Sequence, residues 1–123
     1  MNKLKKVGRP SYLPSTLLII LLSTAIYADA LKTGFVYDDE DSVVNNTLIR
    51  DLGSLPKLLE RRDYFNLSGE KSYRPVVTLS YFLDYAIFGL RPWGYHLTNI
   101  LLHAANGVTL YIFLILIFRP PEV

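Results

Sequence analysis

Leu13-Pro14-Ser15-Thr16-Leu17-Leu18-Ile19-Ile20-Leu21-Leu22-Ser23-Thr24-Ala25-Ile26-Tyr27-Ala28 contains no charged side chain. Continued as a helix through Leu31, it reaches the length that a bilayer core requires. A second apolar block, Tyr95 to Phe118, is opened by Arg91-Pro92-Trp93-Gly94 and closed by Arg119-Pro120-Pro121. Its span of about 24 residues at about 1.5 Å each also covers a bilayer core. Pro92 suits a first helical turn, where its missing N–H leaves nothing unpaired, and Pro120 and Pro121 stop the helix. Trp93 and Tyr95 sit where interfacial aromatic anchors belong. With 50% hydrophobic residues and a mean hydropathy of +0.23, the chain is too apolar at its two ends for an ordinary soluble domain. The fold class expected is an all-α membrane protein, two transmembrane helices joined by a loop.

Charge sets the orientation. The net charge is only +2, yet Lys3, Lys5, Lys6 and Arg9 all precede the first apolar block with no acid among them. A basic flank stays on the cytoplasmic side, and Arg119 after the second block repeats the signal. The expected division is a cytoplasmic basic tail at 1–12, a first transmembrane helix at 13–31, an extracytoplasmic loop at 32–91, a second transmembrane helix at 92–118 and a cytoplasmic end at 119–123. Such a chain is integral to a membrane of plasma membrane or endoplasmic reticulum type. An alternative for the first block is a cleaved secretory signal, since Ala28-Asp29-Ala30 has the A-x-A form of a cleavage site. Either reading leaves the loop outside the cytoplasm. There is no cysteine, so disulfides and thiolate zinc sites are excluded.

The loop, about 60 residues, is long enough to carry structure of its own. In Leu55-Pro56-Lys57-Leu58-Leu59-Glu60-Arg61-Arg62, the spacing of Leu55, Leu58 and Leu59 predicts an amphipathic interfacial helix. A second such helix is expected from Pro75 to Phe88, with Val76, Leu79, Phe82, Leu83 and Ile87 as its apolar residues. Asn45-Asn46-Thr47 and Asn66-Leu67-Ser68 match the glycosylation sequon and are read as turn chemistry. The chain has neither an internal repeat nor a low-complexity tract. Basic residues in the loop are few and balanced by acids, which argues against nucleic-acid binding.

The loop opens on Gly34-Phe35-Val36-Tyr37-Asp38-Asp39-Glu40-Asp41, with four consecutive acids just beyond the first apolar block. Acids in this position are either a solvated face or helix start, since carboxylates favour an amino-terminal turn, or groups that act on a substrate at the bilayer edge.

Four strings occur in order: Phe35-Val36-Tyr37-Asp38-Asp39, Val43-Val44-Asn45-Asn46, Ser72-Tyr73-Arg74-Pro75-Val76-Val77-Thr78-Leu79-Ser80, and Gly94-Tyr95-His96-Leu97-Thr98-Asn99-Ile100-Leu101-Leu102-His103. Together they resemble the amino-terminal part of the polytopic O-mannosyltransferases that carry tetratricopeptide repeats. These are members of the glycosyltransferase-C superfamily, which also includes the dolichyl-phosphate-mannose protein mannosyltransferases. The resemblance covers roughly residues 13 to 118. It implies transfer of a sugar, mannose in the nearest families, from a polyprenyl-phosphate carrier to a protein or glycan hydroxyl on the extracytoplasmic face. It further implies that Asp38 and Asp39 match the acid pair of the first external loop. Asp38 is then expected to be the base, and Asp39 to orient it or to hold a divalent cation. Their side chains should diverge in an extended segment, so that only one faces the reacting centre.

Arg74 stands immediately before a helix that begins with Pro75, and a guanidinium beside free helix N–H groups can grip a phosphate. The alternative is a surface arginine paired with lipid headgroups or with an acid such as Glu70. His96, Glu40 and Tyr73 complete the expected substrate-binding set. His96, Asn99 and His103 share one helix face that also takes in Asn106 and borders Gly107. Polar groups in a membrane helix turn towards protein, so this face is expected to pack inward through interhelical hydrogen bonds. The two histidines, about 10 Å apart along the helix, are too far apart to chelate one ion.

Superfamily members have many membrane spans, whereas this chain has two and no tetratricopeptide repeats. The expected partners are therefore membrane lipids, the lipid-linked donor, the acceptor and the remaining transmembrane helices of the same enzyme. The chain is read as a fragment of a larger polytopic fold, inactive alone. The alternative is a small two-span accessory or assembly subunit without catalysis.

Overall fold

The computed structural model describes residues 11–118. Lys3, Lys5, Lys6 and Arg9, and the closing Arg119, Pro120 and Pro121, lie outside the described residues. Helix α1 (Leu13–Tyr27) carries a proline in its first turn and tightens into a 3₁₀ segment, Ala28–Lys32. Helix α2 is Arg61–Ser68, α3 is Pro75–Phe88 and α4 is Pro92–Phe118. The described residues contain no strand. The segment from Leu13 to Lys32 and helix α4 are each long and apolar enough to cross a membrane, which makes this an all-α membrane protein with two spans.

The two spans lie side by side. Thr16, Ile19, Ser23 and Ala30, half-buried like Leu31, recur at the spacing that returns to one helix face. Gly107 permits the approach, because a Cβ there would come within 3.0 Å of Ile19 Cγ2. Nearer the loop, the Tyr27 ring meets the His103 imidazole edge to face at 4.9 Å. No residue of α1 is buried. Leu13, Leu17, Leu21 and Ile26 are largely exposed, a surface that suits lipid rather than water.

The loop is built differently. After the extended 33–36 segment come a helical turn at Glu40–Val44 and 3₁₀ segments at Leu48–Arg50 and Leu52–Leu58. Val43, Leu48, Ile49, Leu58, Tyr64 and Phe82 form a core, closed by Tyr95 from the first turns of α4. Burying a valine, leucine, isoleucine or phenylalanine in this way contributes about 1.5–3 kcal/mol. The loop is therefore a small domain with its own interior, resting on one end of the helix pair.

The helix expected over Leu55–Arg62 is two elements. Pro56 lies inside the 3₁₀ segment that ends at Leu58. Proline has no N–H for an α-helical bond, and the tighter turn accommodates it. Glu60 is extended before α2 starts at Arg61. Leu58 consequently points into the core at 5% exposure while Leu59 is 76% exposed, so the leucines do not share one face. Helix α3 does run from Pro75 to Phe88, ended by Gly89 at φ 61°. It buries Thr78, Phe82 and Asp84 and turns Val76, Leu79, Leu83 and Ile87 outward, an apolar stripe suited to a membrane surface.

The corner between α3 and α4 is tight. A Cβ at Gly94 would collide with the Phe88 ring, which stacks edge to face on Trp93 at 4.9 Å. Thr98 of α4 donates a hydrogen bond to Asp84 of α3 at 2.5 Å. Burial pushes the Asp84 carboxyl above its usual range, and the Thr98 bond opposes that rise.

Candidate functional site

The acid run is a turn, not an extended segment. Tyr37 adopts a left-handed backbone, φ 48°, which side chains other than glycine visit rarely. Asp39 N–H donates to Val36 O at 3.1 Å, and Glu40 N–H to Tyr37 O at 3.2 Å. The Asp39 carboxylate in turn accepts from Val36 N–H at 3.1 Å. Asp38 and Asp39 thus open the helical turn that continues through Val44, where carboxylates meet unpaired N–H groups. The expected extended geometry is corrected: the left-handed residue and the Asp39 bond reverse the chain here.

The turn brings Asp38, Asp41 and Ser42 to one side of a groove of about 120 Å³. Glu70, Lys71, Ser72 and Arg74, from the linker between α2 and α3, form the other side. Asp38 and Arg74, two of the residues singled out from sequence, therefore share a cavity. Asp39, Glu40 and Tyr73 do not line it. Asp39 holds the turn. Glu40 is exposed. The Tyr73 hydroxyl donates to Leu58 O at 3.1 Å, and its ring packs on Tyr64 at 4.9 Å.

Arg74 is held by a buried network. Its Nε and Nη2 donate to Glu70 Oε2 at 3.2 and 3.1 Å, and Nη2 also reaches Ser42 Oγ at 3.3 Å. Glu70 is 1% exposed at its side chain and Arg74 is 41% exposed, so the carboxylate is sealed while the guanidinium reaches the surface. Thr78 Oγ1 lies 3.1 Å from the other Glu70 oxygen and 2.9 Å from the Tyr64 hydroxyl, and that hydroxyl accepts from Arg74 N–H at 3.2 Å. Desolvation lowers and the Glu70 hydrogen bond and charge raise the Arg74 pKa, which ends above its ordinary value. Burial pushes the Tyr64 hydroxyl up as well. Glu70, Thr78, Tyr64 and Ser42 are hydrogen-bonded buried groups, the condition for such a network to hold geometry, and Arg74 alone reaches the surface from it. The pairing with Glu70, one of the alternatives for Arg74, is present.

The sequence did not single out Ser42 or Lys71. Lys71 lies 4.0 Å from Asp41 and is 94% exposed. For Lys71 the available signal was its place among polar residues shortly before Pro75, at the mouth of a helix; Ser42 carried none.

His96 lies elsewhere. It lines a crevice of about 220 Å³ between the end of the first span and α4, with Tyr27, Ala30, Asn99, Ile100 and His103. His96 Nε2 is 3.2 Å from Thr33 Oγ1. The polar face of α4 is only partly turned inward: Asn99, His103 and Asn106 remain exposed, while Ile100, Ala104 and Gly107 take the inward positions. The small residues allow closer helix approach than the polar ones. Among the described residues no three histidine, aspartate or glutamate side chains gather as a cation site.

No family model matches the chain, and no solved structure matches it. A protein O-mannosyl-transferase of Caenorhabditis elegans is 32% identical over 111 residues, covering 87% of this chain and 16% of that protein. The protein O-mannosyl-transferase TMTC2 of Homo sapiens is 41% identical over 93 residues, covering 68% of this chain and 10% of its own length. The chain is similar to a short part of these protein O-mannosyl-transferases. A third, the protein O-mannosyl-transferase TMTC3 of Homo sapiens, is 36% identical over 96 residues, 74% of this chain and 10% of that protein. The chain thus spans 10% to 16% of the length of these mannosyl-transferases. The first and last of the strings that carried the resemblance meet at the loop domain, where Phe35 packs edge to face on Tyr95 at 5.3 Å.

Proposed function

We propose that this chain carries the first external loop of a membrane mannosyltransferase, which moves mannose from a polyprenyl-phosphate carrier to a hydroxyl of a protein or glycan on the extracytoplasmic face. The observation that carries this reading is the groove in which Asp38 and Arg74, remote in sequence, stand on facing segments. Asp38 takes the proton of the acceptor hydroxyl as its oxygen attacks the anomeric carbon. The bond from that carbon to the phosphate oxygen breaks, and the phosphate leaves with the electron pair. Arg74 and Lys71 receive the leaving group, with Glu70 and Ser42 fixing the guanidinium. Asp39 supports Asp38 by closing the turn, while His96 lines a separate crevice and takes no step in this transfer. A divalent cation, for which Asp39 was the candidate, would need further oxygen ligands from the donor itself, and no step above passes through it.

The exposed face at Asn99, His103 and Asn106, together with an α1 that has no buried residue, supports further transmembrane helices of the same enzyme as partners. The same exposed face would serve a two-span assembly subunit, the second reading.

The test is Asp38→Asn in a complete enzyme containing this segment. Transfer should fall by about 10²–10⁴-fold, the usual contribution of a general base, with membrane insertion unchanged. Turnover at the unaltered rate would refute the assignment of Asp38. A loop domain that folds as here, with no transfer in any complete enzyme containing it, would favour the assembly reading.

A further inference from the structure

Two loop asparagines take part in the fold through their backbone alone: Asn45 N–H donates to Glu40 O at 2.8 Å and Asn66 is a residue of α2. Asn45 follows the Glu40–Val44 turn and Asn66 lies in the last turn of α2; both are exposed. Asn46 is the asparagine that performs turn chemistry. It is fully buried, its Nδ2 donates to Ser42 O at 2.9 Å, and its Oδ1 accepts from Leu48 N–H at 3.0 Å. Among the described residues no comparable bond holds the side-chain amide of Asn45 or Asn66.

Both free amides open an Asn-x-Ser/Thr string, Asn45-Asn46-Thr47 and Asn66-Leu67-Ser68. The two strings are neighbours in space, since Thr47 donates through N–H and Oγ1 to Leu67 O at 3.2 and 2.9 Å. Neither asparagine lines the groove or the crevice. A bulky, water-seeking group at this place would leave both cavities open.

We infer that Asn45 is an N-glycan acceptor and that Asn66 is a lesser one. This rests on the extracytoplasmic placement of the loop in the reading above. The amide nitrogen attacks the anomeric carbon of a lipid-diphosphate-linked oligosaccharide. A C–N bond forms, the C–O bond to the diphosphate breaks, the diphosphate leaves with the electron pair, and the amide proton passes to the transferring enzyme. The hydroxyl two residues on is part of the acceptor. Thr47 is exposed, whereas Ser68 is fully buried and its Oγ accepts from Glu70 N–H at 3.2 Å. Asn66 is therefore a usable acceptor only before α2 closes, while Asn45 needs only the exposed bond from Thr47 Oγ1 to Leu67 O to open.

The experiment is translation of the full chain into endoplasmic-reticulum microsomes, with N-glycosidase digestion of the membrane-integrated product. The absence of cysteine provides an independent reading of loop placement: a single Lys57→Cys is labelled with a membrane-impermeant maleimide before and after the vesicles are opened. The expected result is a glycosidase-sensitive form, reduced to a minor fraction in Asn45→Gln and in Thr47→Ala and reduced only slightly in Asn66→Gln, with Cys labelling that requires opened vesicles. Protected labelling with no glycan, or a glycan carried by Asn66 alone, overturns the inference and leaves the loop placement standing. Labelling in sealed vesicles without a glycan overturns both. Equal loss in the two asparagine variants keeps Asn45 as a site and overturns the order of preference.

Discussion

The loop domain and the helix pair make opposite use of apolar side chains. In the loop, Leu48, Ile49, Tyr64 and Phe82 are sealed at 1% exposure or less and the polar groups beneath them are matched, as in a protein that folds in water. In the pair, α1 buries nothing and its leucines face outward, as in a segment whose solvent is lipid. The loop can therefore hold a defined geometry by its own packing, and the spans serve to place it at a membrane edge. On the reading proposed above, chemistry that needs fixed distances would belong to the first region, and adaptable association to the second.

This contrast can be broken experimentally, and the largest effect is expected at Phe82. Phe82→Ala should destabilise the loop domain by about 3–5 kcal/mol, read as accelerated amide exchange over residues 40–88 while α1 and α4 remain protected. Collapse of the helix pair in the same variant would show that the regions are not separable. Leu21, which is 64% exposed, gives the converse. Leu21→Arg should cost about 2.5–3.5 kcal/mol of membrane insertion, measured as the inserted fraction, and leave exchange in the loop unaltered wherever the chain does insert.

Glu70→Ala removes the acceptor that holds Arg74 and Thr78. About 1–3 kcal/mol of loop stability should be lost, the smaller part arising from Arg74, which can turn to solvent. A variant as stable as the parent would mean the network does not brace the groove.

The smallest effect concerns Asp84, whose pKa is raised by burial. A raised carboxyl pKa means the folded state binds the proton more tightly. The associated stability is complete below the ordinary value of 3.8 and is lost as pH rises through the folded value. Asp84→Asn does not titrate and keeps an oxygen for Thr98. Its stability relative to the parent should therefore increase from acid towards neutral pH in thermal unfolding, and a difference independent of pH would contradict the burial described.

The sequence showed both spans because length and hydropathy alone determine them, and it showed α3 because Pro75 opens it and its apolar residues continue to Ile87. It misled over Leu55–Arg62, where the leucine spacing fits a helix and the backbone requirement of Pro56 overrides it. Asp38 and Arg74 were legible one at a time through the resemblance. Their common groove was not, because it depends on Tyr37 turning left-handed and on Glu70 folding back beneath Arg74, and neither leaves a periodic signal. The polar face of α4 was legible as a face, but its inward side is set by Ala104 and Gly107, whose small size decides how closely α1 approaches.

Tyr37 has one more consequence. Its ring is 92% exposed, so no packing compensates a backbone conformation that costs roughly 1–3 kcal/mol for such a residue. The turn is a wound spring, and the bond from Val36 N–H to the Asp39 carboxylate is the catch that keeps it wound. An Asp39 variant would release the spring and carry Asp38 out of the groove, so in the proposed reaction the second acid would be indispensable without ever touching what reacts.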